Sequence, residues 1–227
     1  MDWVFRKGDL SRGNWDVNLN PTEGLVAGWK YTGLNVATLS NLNSLTIAPD
    51  SNERLVIPLD GGVISVTFNS LEENGSYKLR NRKSVFHGAT DVLYLPINCE
   101  ISLSGTGRVA IAQAPAKNVK PVKFVDRDSF PKVIRGAGPE SRQIHDFGGV
   151  DFLDADRFIV VEVISLPETG QEFRHINTIL TFQRKNRTWK KFIILNWRPS
   201  VIPFLQVSMK PRVSLMDILQ IGDHMKL

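Results

Sequence analysis

Leu55-Val56-Ile57-Pro58-Leu59, then Asp60-Gly61-Gly62, then Val63-Ile64-Ser65-Val66-Thr67-Phe68 is the stretch on which the fold class turns. A short apolar run, a turn signal and a partly alternating run predict two strands of a β-hairpin. Working outward, Val92-Leu93-Tyr94-Leu95-Pro96, Glu100-Ile101-Ser102-Leu103 and Arg108-Val109-Ala110-Ile111-Ala112 repeat the pattern at short spacing. Helical periodicity is largely absent. Short strands separated by Gly, Pro, Asn and Asp predict an all-β sandwich or barrel. Ala114-Pro115-Ala116-Lys117-Asn118-Val119-Lys120-Pro121 is the best candidate for a connection between two halves. A second β unit is then expected to begin near Val122 and run into Phe158-Ile159-Val160-Val161-Glu162-Val163-Ile164.

A chain of 227 residues, 42% hydrophobic, can bury one large core or two small ones. Its net charge of +5 is unevenly placed. Residues 1–170 hold 18 Lys+Arg against 20 Asp+Glu, whereas residues 171–227 hold 10 against 3. Glycine divides the same way, since Gly222 alone follows Gly170. The segment Met1–Lys7 has no apolar run behind its charges, so no signal peptide is expected. No apolar stretch reaches bilayer-spanning length. The single Cys99 is expected to be a small buried apolar residue in a reducing cytoplasm.

Specific blocks carry a resemblance. Arg135-Gly136-Ala137-Gly138-Pro139-Glu140-Ser141-Arg142-Gln143-Ile144-His145-Asp146-Phe147, Leu153-Asp154-Ala155-Asp156-Arg157 and Val161-Glu162-Val163-Ile164 resemble the 5-deoxy-glucuronate isomerase family of myo-inositol catabolism. Gly28-Trp29-Lys30-Tyr31-Thr32-Gly33-Leu34, Leu59-Asp60-Gly61-Gly62 and Ser84-Val85-Phe86-His87-Gly88-Ala89-Thr90-Asp91 agree with it. The resemblance covers roughly residues 10–164. It implies a bicupin, two tandem cupin-type β-barrels, that interconverts an aldose-type uronic acid and its ketose. The implied division is an N-terminal barrel over 1–115 and the opening strands of a second over 122–170, followed by a basic tail over 171–227. It also implies a divalent metal that polarises the carbonyl and stabilises an enediolate while a general base carries the proton. Family ligands come from a Pro-Pro-His-Lys-His-Asp stretch, a Glu downstream and a later His.

None of those ligands is in place. Where the family continues with a segment like Gly-Asn-Trp-Ser and then Pro-Pro-His-Lys-His-Asp, this chain reads Pro167-Glu168-Thr169-Gly170-Gln171-Glu172-Phe173-Arg174-His175-Ile176-Asn177-Thr178-Ile179. Joining the last base of each codon to the first two of the next lets Pro167 to Gln171 spell Gly-Asn-Trp-Ser. Phe173 to Ile179 can then spell Pro-Pro-His-Lys-His-Asp, a reading that codon degeneracy allows. Thr188-Trp189-Lys190-Lys191-Phe192-Ile193-Ile194-Leu195-Asn196 can spell Leu-Glu-Glu-Ile-Tyr-Tyr-Phe-Glu, and the Glu spanning Trp189 and Lys190 is forced by the code. The expectation is a frameshift after about residue 165. Glu codons read one base late give Lys and Arg, which accounts for Arg184-Lys185-Asn186-Arg187 and Lys190-Lys191. Apolar runs such as Phe192-Ile193-Ile194-Leu195 can complete a sheet by accident or promote aggregation.

Arg142 and His145 are the candidate substrate-binding residues, the guanidinium suited to a sugar carboxylate; the alternative for His145 is fixing a loop. No catalytic residue is identified and no metal ligand is assigned. His87 reads as a loop histidine, and His175 and His224 have no Glu or Asp pair beside them. Arg135-Gly136-Ala137-Gly138 lacks the strand-to-helix context of a phosphate loop. Three readings follow. The first is a 5-deoxy-glucuronate isomerase by descent, impaired because its metal-ligand segment is missing and expected to bind no cofactor metal. The second is a non-catalytic bicupin remnant that binds a sugar acid or a partner subunit. The third is a nucleic-acid or membrane binder using the basic tail, whose binding would be steeply salt-dependent. The first two make a small sugar acid the expected partner, without nucleic acid or membrane, and leave a homo-oligomer open.

Overall fold

The computed structural model describes residues 4–5, 8–23, 26, 30–41, 44–84, 87–131, 133–135, 142–147, 152–157, 159–165, 177–183, 190–196 and 205–209. Among these residues the chain is all-β, fifteen strands and a single 3-10 turn at Arg127–Ser129. None of their helices is long and apolar enough to cross a membrane. β1 (Val4–Phe5) joins a seven-stranded sheet with β10 (Val133–Arg135), β11 (Arg142–Asp146), β12 (Val160–Ser165), β13 (Asn177–Gln183), β14 (Lys190–Asn196) and β15 (Leu205–Met209). The other sheet holds β2 (Val17–Leu19), β3 (Gly33–Leu39), β4 (Leu45–Ile47), β5 (Asn52–Asn69), β6 (Asn74–Leu79), β7 (Val92–Leu95), β8 (Glu100–Pro115) and β9 (Lys123–Val125). All pairings are antiparallel.

The expected hairpin at Asp60-Gly61-Gly62 is instead a corner inside one strand. β5 runs unbroken from Asn52 to Asn69 and pairs along its length with β8, which fuses the two strands expected at 100–103 and 108–112. Register shifts between Pro58 and Asp60 and between Gly61 and Ile64 mark the corner. Pro58 is tolerated there because the irregularity relaxes the ladder. Gly61 (φ +101°) and Gly107 (φ +115°) face each other across the bend. A Cβ on Gly61 would lie 2.5 Å from the Gly107 Cα, and one on Gly107 would overlap the Asp60 carbonyl oxygen. The two backbones touch where only glycine fits.

The corner folds the sheet into two layers. β2, β3, β7 and β9 lie along the N-terminal half of β5 and the C-terminal half of β8; β4 and β6 lie along the opposite halves. Between the layers lies one core that includes Leu39, Val56, Ile64, Val66, Phe68, Leu93, Leu103 and Ile111. The first layer's outer face carries Leu34, Leu55, Ile57, Tyr94 and Ala112 into a second core shared with Phe147, Leu153 and Val160 of the other half. Residues 55–59 are therefore buried on both faces and lose period-2 alternation, whereas Val63–Phe68 alternates because one face is wet. That change of pattern imitates a turn.

Side chains close the gap between β6 and β9. Tyr77 stacks on Phe68 at 6.2 Å and on Phe124 at 5.5 Å. Beside this stack, Glu73 accepts from the Val122 backbone N–H at 2.9 Å. Arg80 meets Asp126 at 2.6 Å. Consequently β9, expected to open the second unit near Val122, closes the first sheet by pairing with β7, and the other sheet's strands resume at Val133. Cys99 is buried between β7 and β8, and burial pushes its thiol up to about 11.

Gly107→Ala should cost about 3–5 kcal/mol of stability in chemical denaturation, combining overlap with backbone strain. Gly8→Ala, also at positive φ but with nothing within 4 Å of a new Cβ, should cost about 1 kcal/mol. Equal losses would remove the corner argument.

Candidate functional site

In Val160-Val161-Glu162-Val163-Ile164 the alternating residues Val160, Glu162 and Ile164 are buried, and Val161 and Val163 are half-buried. Strand periodicity thus turns a carboxylate onto the face that packs against the first sheet. A buried charge there requires a charged partner and further hydrogen bonds. Arg82, in the loop after β6, supplies both. Its Nη1 donates to Glu162 Oε2 at 2.7 Å and its Nη2 to Oε1 at 2.6 Å, a bidentate pair at 1% and 0% side-chain exposure. Remaining donors of Arg82 reach the carbonyl oxygens of Leu59 at 3.3 Å and Gly88 at 2.7 Å.

His145 stands directly opposite Glu162 in the β11–β12 ladder. Its Nδ1 lies 2.8 Å from Glu162 Oε2 and its Nε2 lies 2.8 Å from Gln143 Nε2. One tautomer satisfies both contacts: Nδ1–H donates to the carboxylate and Nε2 accepts from the amide. Burial is the largest influence on Glu162 and opposes ionisation. The Arg82 charge and the hydrogen bonds from His145 and Arg82 outweigh it, holding the carboxyl below its ordinary value.

A second buried carboxylate ties the same two parts together. Glu53 on β5 accepts from the Tyr94 hydroxyl at 2.8 Å and from the backbone N–H groups of Asp156 and Arg157 at 2.8 and 2.7 Å. Burial, with Glu53 adjacent, pushes the Tyr94 phenol well above its usual range. Asp156 in turn accepts from Asn118 Nδ2 at 2.8 Å and the Lys117 backbone at 3.0 Å.

Of the two candidate substrate-binding residues, His145 is thus brought to Glu162 at 2% exposure with both ring nitrogens taken by protein groups. Arg142, three residues earlier on β11, pairs through its backbone position with Arg135 and Ser165. His87 is exposed, its Nδ1 2.7 Å from Ser84 Oγ. His175, His224 and Gly136–Gly138 lie outside the described residues. Among the described residues no group of three or more His, Cys, Asp or Glu could hold a metal ion. The strongest donor pair, His145 and Glu162, is already saturated. The described residues therefore do not fit the divalent metal that the resemblance implies. Sequence reasoning missed Glu162, Arg82 and Glu53 as structural charges. The available signal was a lone carboxylate within or beside an apolar strand run.

Comparison with known proteins agrees with this architecture. The KduI/IolB family model matches residues 4–171. A 5-deoxy-glucuronate isomerase from Geobacillus kaustophilus (strain HTA426) is 28% identical over 142 residues, covering 61% of this chain and 49% of that protein. The match therefore spans about half the length of this curated relative. An IolB-like protein from Salmonella typhimurium LT2, solved by crystallography, superposes with a TM-score of 0.63 at 19% identity, covering 94% of this chain and 95% of that one. That likeness shows the fold: all-β and cupin-like.

Removing one partner of the buried pair should be costly and removing both should not. Glu162→Gln or Arg82→Met alone should each lose about 3–5 kcal/mol, and Arg82→Met with Glu162→Leu should recover most of it. A double-mutant cycle by urea denaturation gives the coupling, and additive losses would refute it. The pH dependence has a definite sign. Glu162 titrates lower in the folded chain than the ordinary carboxyl at 4.5, so the unfolded chain takes up the proton first. This contribution is fully present above that unfolded value and is lost as pH falls through the lower folded value. The Glu162→Gln variant should lose that segment of the stability–pH curve; an unchanged curve would contradict it.

Proposed function

Because the chain belongs to the KduI/IolB family, we propose that it descends from an aldose–ketose isomerase of 5-deoxy-D-glucuronate and that, as translated, it does not turn that substrate over. The carrying observation is where the family match stops. It ends at residue 171, just before Phe173–Ile179, whose codons, read one base back, can spell the family's metal-binding segment. On this reading β2 to β9 carry the first ancestral barrel and β10 to β12 the opening strands of the second, and the chain after about residue 165 is read out of frame. Isomerisation moves a proton between neighbouring carbons as the carbonyl migrates. His145 and Glu162 offer no free atom for that step, because each is spent on holding the two sheets together. The buried Cys99 suits a reducing cytoplasm.

A second reading is a non-catalytic remnant that still binds a sugar acid or a partner subunit. It is favoured by the position of the joints: the Arg82–Glu162 and Glu53–Asp156 contacts all lie before the break. The nucleotide sequence across codons 163–168 should show one base gained or lost relative to the family frame. Purified chain as translated should show no turnover of 5-deoxy-D-glucuronate and no stoichiometric metal, and a frame-restored version should show turnover. Turnover by the chain as translated, with about one bound metal ion per chain, would sink the proposal. Retained binding of the sugar acid without turnover selects the second reading.

A further inference from the structure

Arg135 and Arg142 are direct partners in the β10–β11 ladder, and Arg142 is in turn the partner of Ser165 on β12. Three strands thus set Arg135, Arg142 and Ser165 in one row across the sheet. Opposed positions of an antiparallel pair share a face, with Cβ atoms about 4.5–5.5 Å apart. Like charges at such positions are destabilising, and an anion between them reverses the sign.

Alternation places this row on the face opposite Glu162. His145, Val160, Glu162 and Ile164 occupy the buried face. The face of the row holds instead Val133 on β10, Ile144 and Asp146 on β11, and Val161 and Val163 on β12. All five are half-buried, so this face admits solvent where the other is sealed. In the described sheet order β10 is terminal, which sets the Arg135 end of the row at an edge.

The ladder supplies no counter-charge at this level, since the two partners of Arg142 are an arginine and a serine. Among the described residues of β10 to β12, Asp146 is the carboxylate that shares the face. It stands four positions along β11, roughly 13 Å at the rise of a strand. Two cations and that one anion leave a single positive charge on the face, with nothing level with the pair to offset it.

We propose that the opposed pair Arg135 and Arg142, with Ser165 next in the row, is the carboxylate site for a sugar acid. A monocarboxylate neutralises the remaining charge, whereas a phosphate dianion overshoots it. The planar guanidinium fork matches the two oxygens of a carboxylate. A serine hydroxyl, both donor and acceptor, suits the hydroxyl groups that flank the acid group of a sugar. This site rests on the reading of the chain as a remnant that binds a sugar acid, and assigns the residues that take its acid group.

Isothermal titration of the full chain as translated with D-glucuronate, D-glucose and inorganic phosphate tests it. D-glucuronate should bind saturably and more tightly than either other probe, and Arg135→Gln and Arg142→Gln should each weaken it about tenfold or more. Each variant should also keep or raise the urea midpoint of the ligand-free chain, because one of two like charges is gone. A merely structural arginine would lower it. A lowered midpoint, or a variant that fails to fold, would show the pair engaged in the fold and would overturn the proposal. So would D-glucose or phosphate binding as tightly as D-glucuronate. Saturable D-glucuronate binding left unchanged by both variants would overturn the site and spare the remnant reading; no D-glucuronate binding at all would overturn both.

Discussion

The corner at Leu59–Gly61 is held by Asn81 and Arg82, and Arg82 also joins the two sheets. Asn81 Nδ2 donates to the Asp60 carbonyl at 2.6 Å, the Gly61 N–H donates to the Arg82 carbonyl at 3.2 Å, and Arg82 Nε donates to the Leu59 carbonyl. A bend in a ladder strands backbone groups, and here the loop after β6 takes them up. The same loop then sends its Arg82 guanidinium to Glu162. A bend that shifted would therefore move the cation on which the second sheet's buried carboxylate depends. Neck contacts hold the loop: Asp91 accepts from the Arg80 backbone at 2.7 Å and side chain at 3.0 Å, and the Thr90 hydroxyl donates to the Arg80 carbonyl at 2.9 Å.

The all-β class and most strand positions were legible, because Val92–Leu95, Arg108–Ala112 and Val160–Ile164 keep short apolar runs bounded by polar residues. Continuity was not legible. Gly61-Gly62 beside Asp60 has the local chemistry of a turn, and only the partner strand, with Gly107 opposite, makes it a corner. The place of Lys123–Val125 was hidden for a similar reason. A three-residue strand carries little pattern, and its sheet is set by pairing with β7 and by the Tyr77–Phe124 stack. His145 could be singled out because its block resembles a family. Its actual partner Glu162 lies 17 positions later, and Arg82 lies 80 positions before Glu162, distances over which periodicity carries no information.

Glu162 also shows why a carboxylate in a recognisable block is not thereby a reacting group. A catalytic acid or base needs an open atom and a path to a substrate proton. Both oxygens of Glu162 are spoken for, its side chain is sealed, and its pKa is displaced in the direction that keeps it ionised. Such a group is suited to specifying which face of β12 meets the first sheet.

Strands β13 to β15 extend the sheet beyond β12, and a ladder asks little of side chains. β13, β14 and β15 pair in unbroken antiparallel register, setting Leu180, Ile193 and Val207 in successive strands level with Glu162. Backbone hydrogen bonding is independent of sequence, and Ile, Leu, Phe and Thr are good strand formers in any order. Metal ligation is the opposite case, since it needs particular residues at particular positions. A sheet topology is therefore far more tolerant of sequence change than a ligand set is. The level of Glu162 illustrates the tolerance: the neighbouring positions are filled by apolar residues adequate for a ladder.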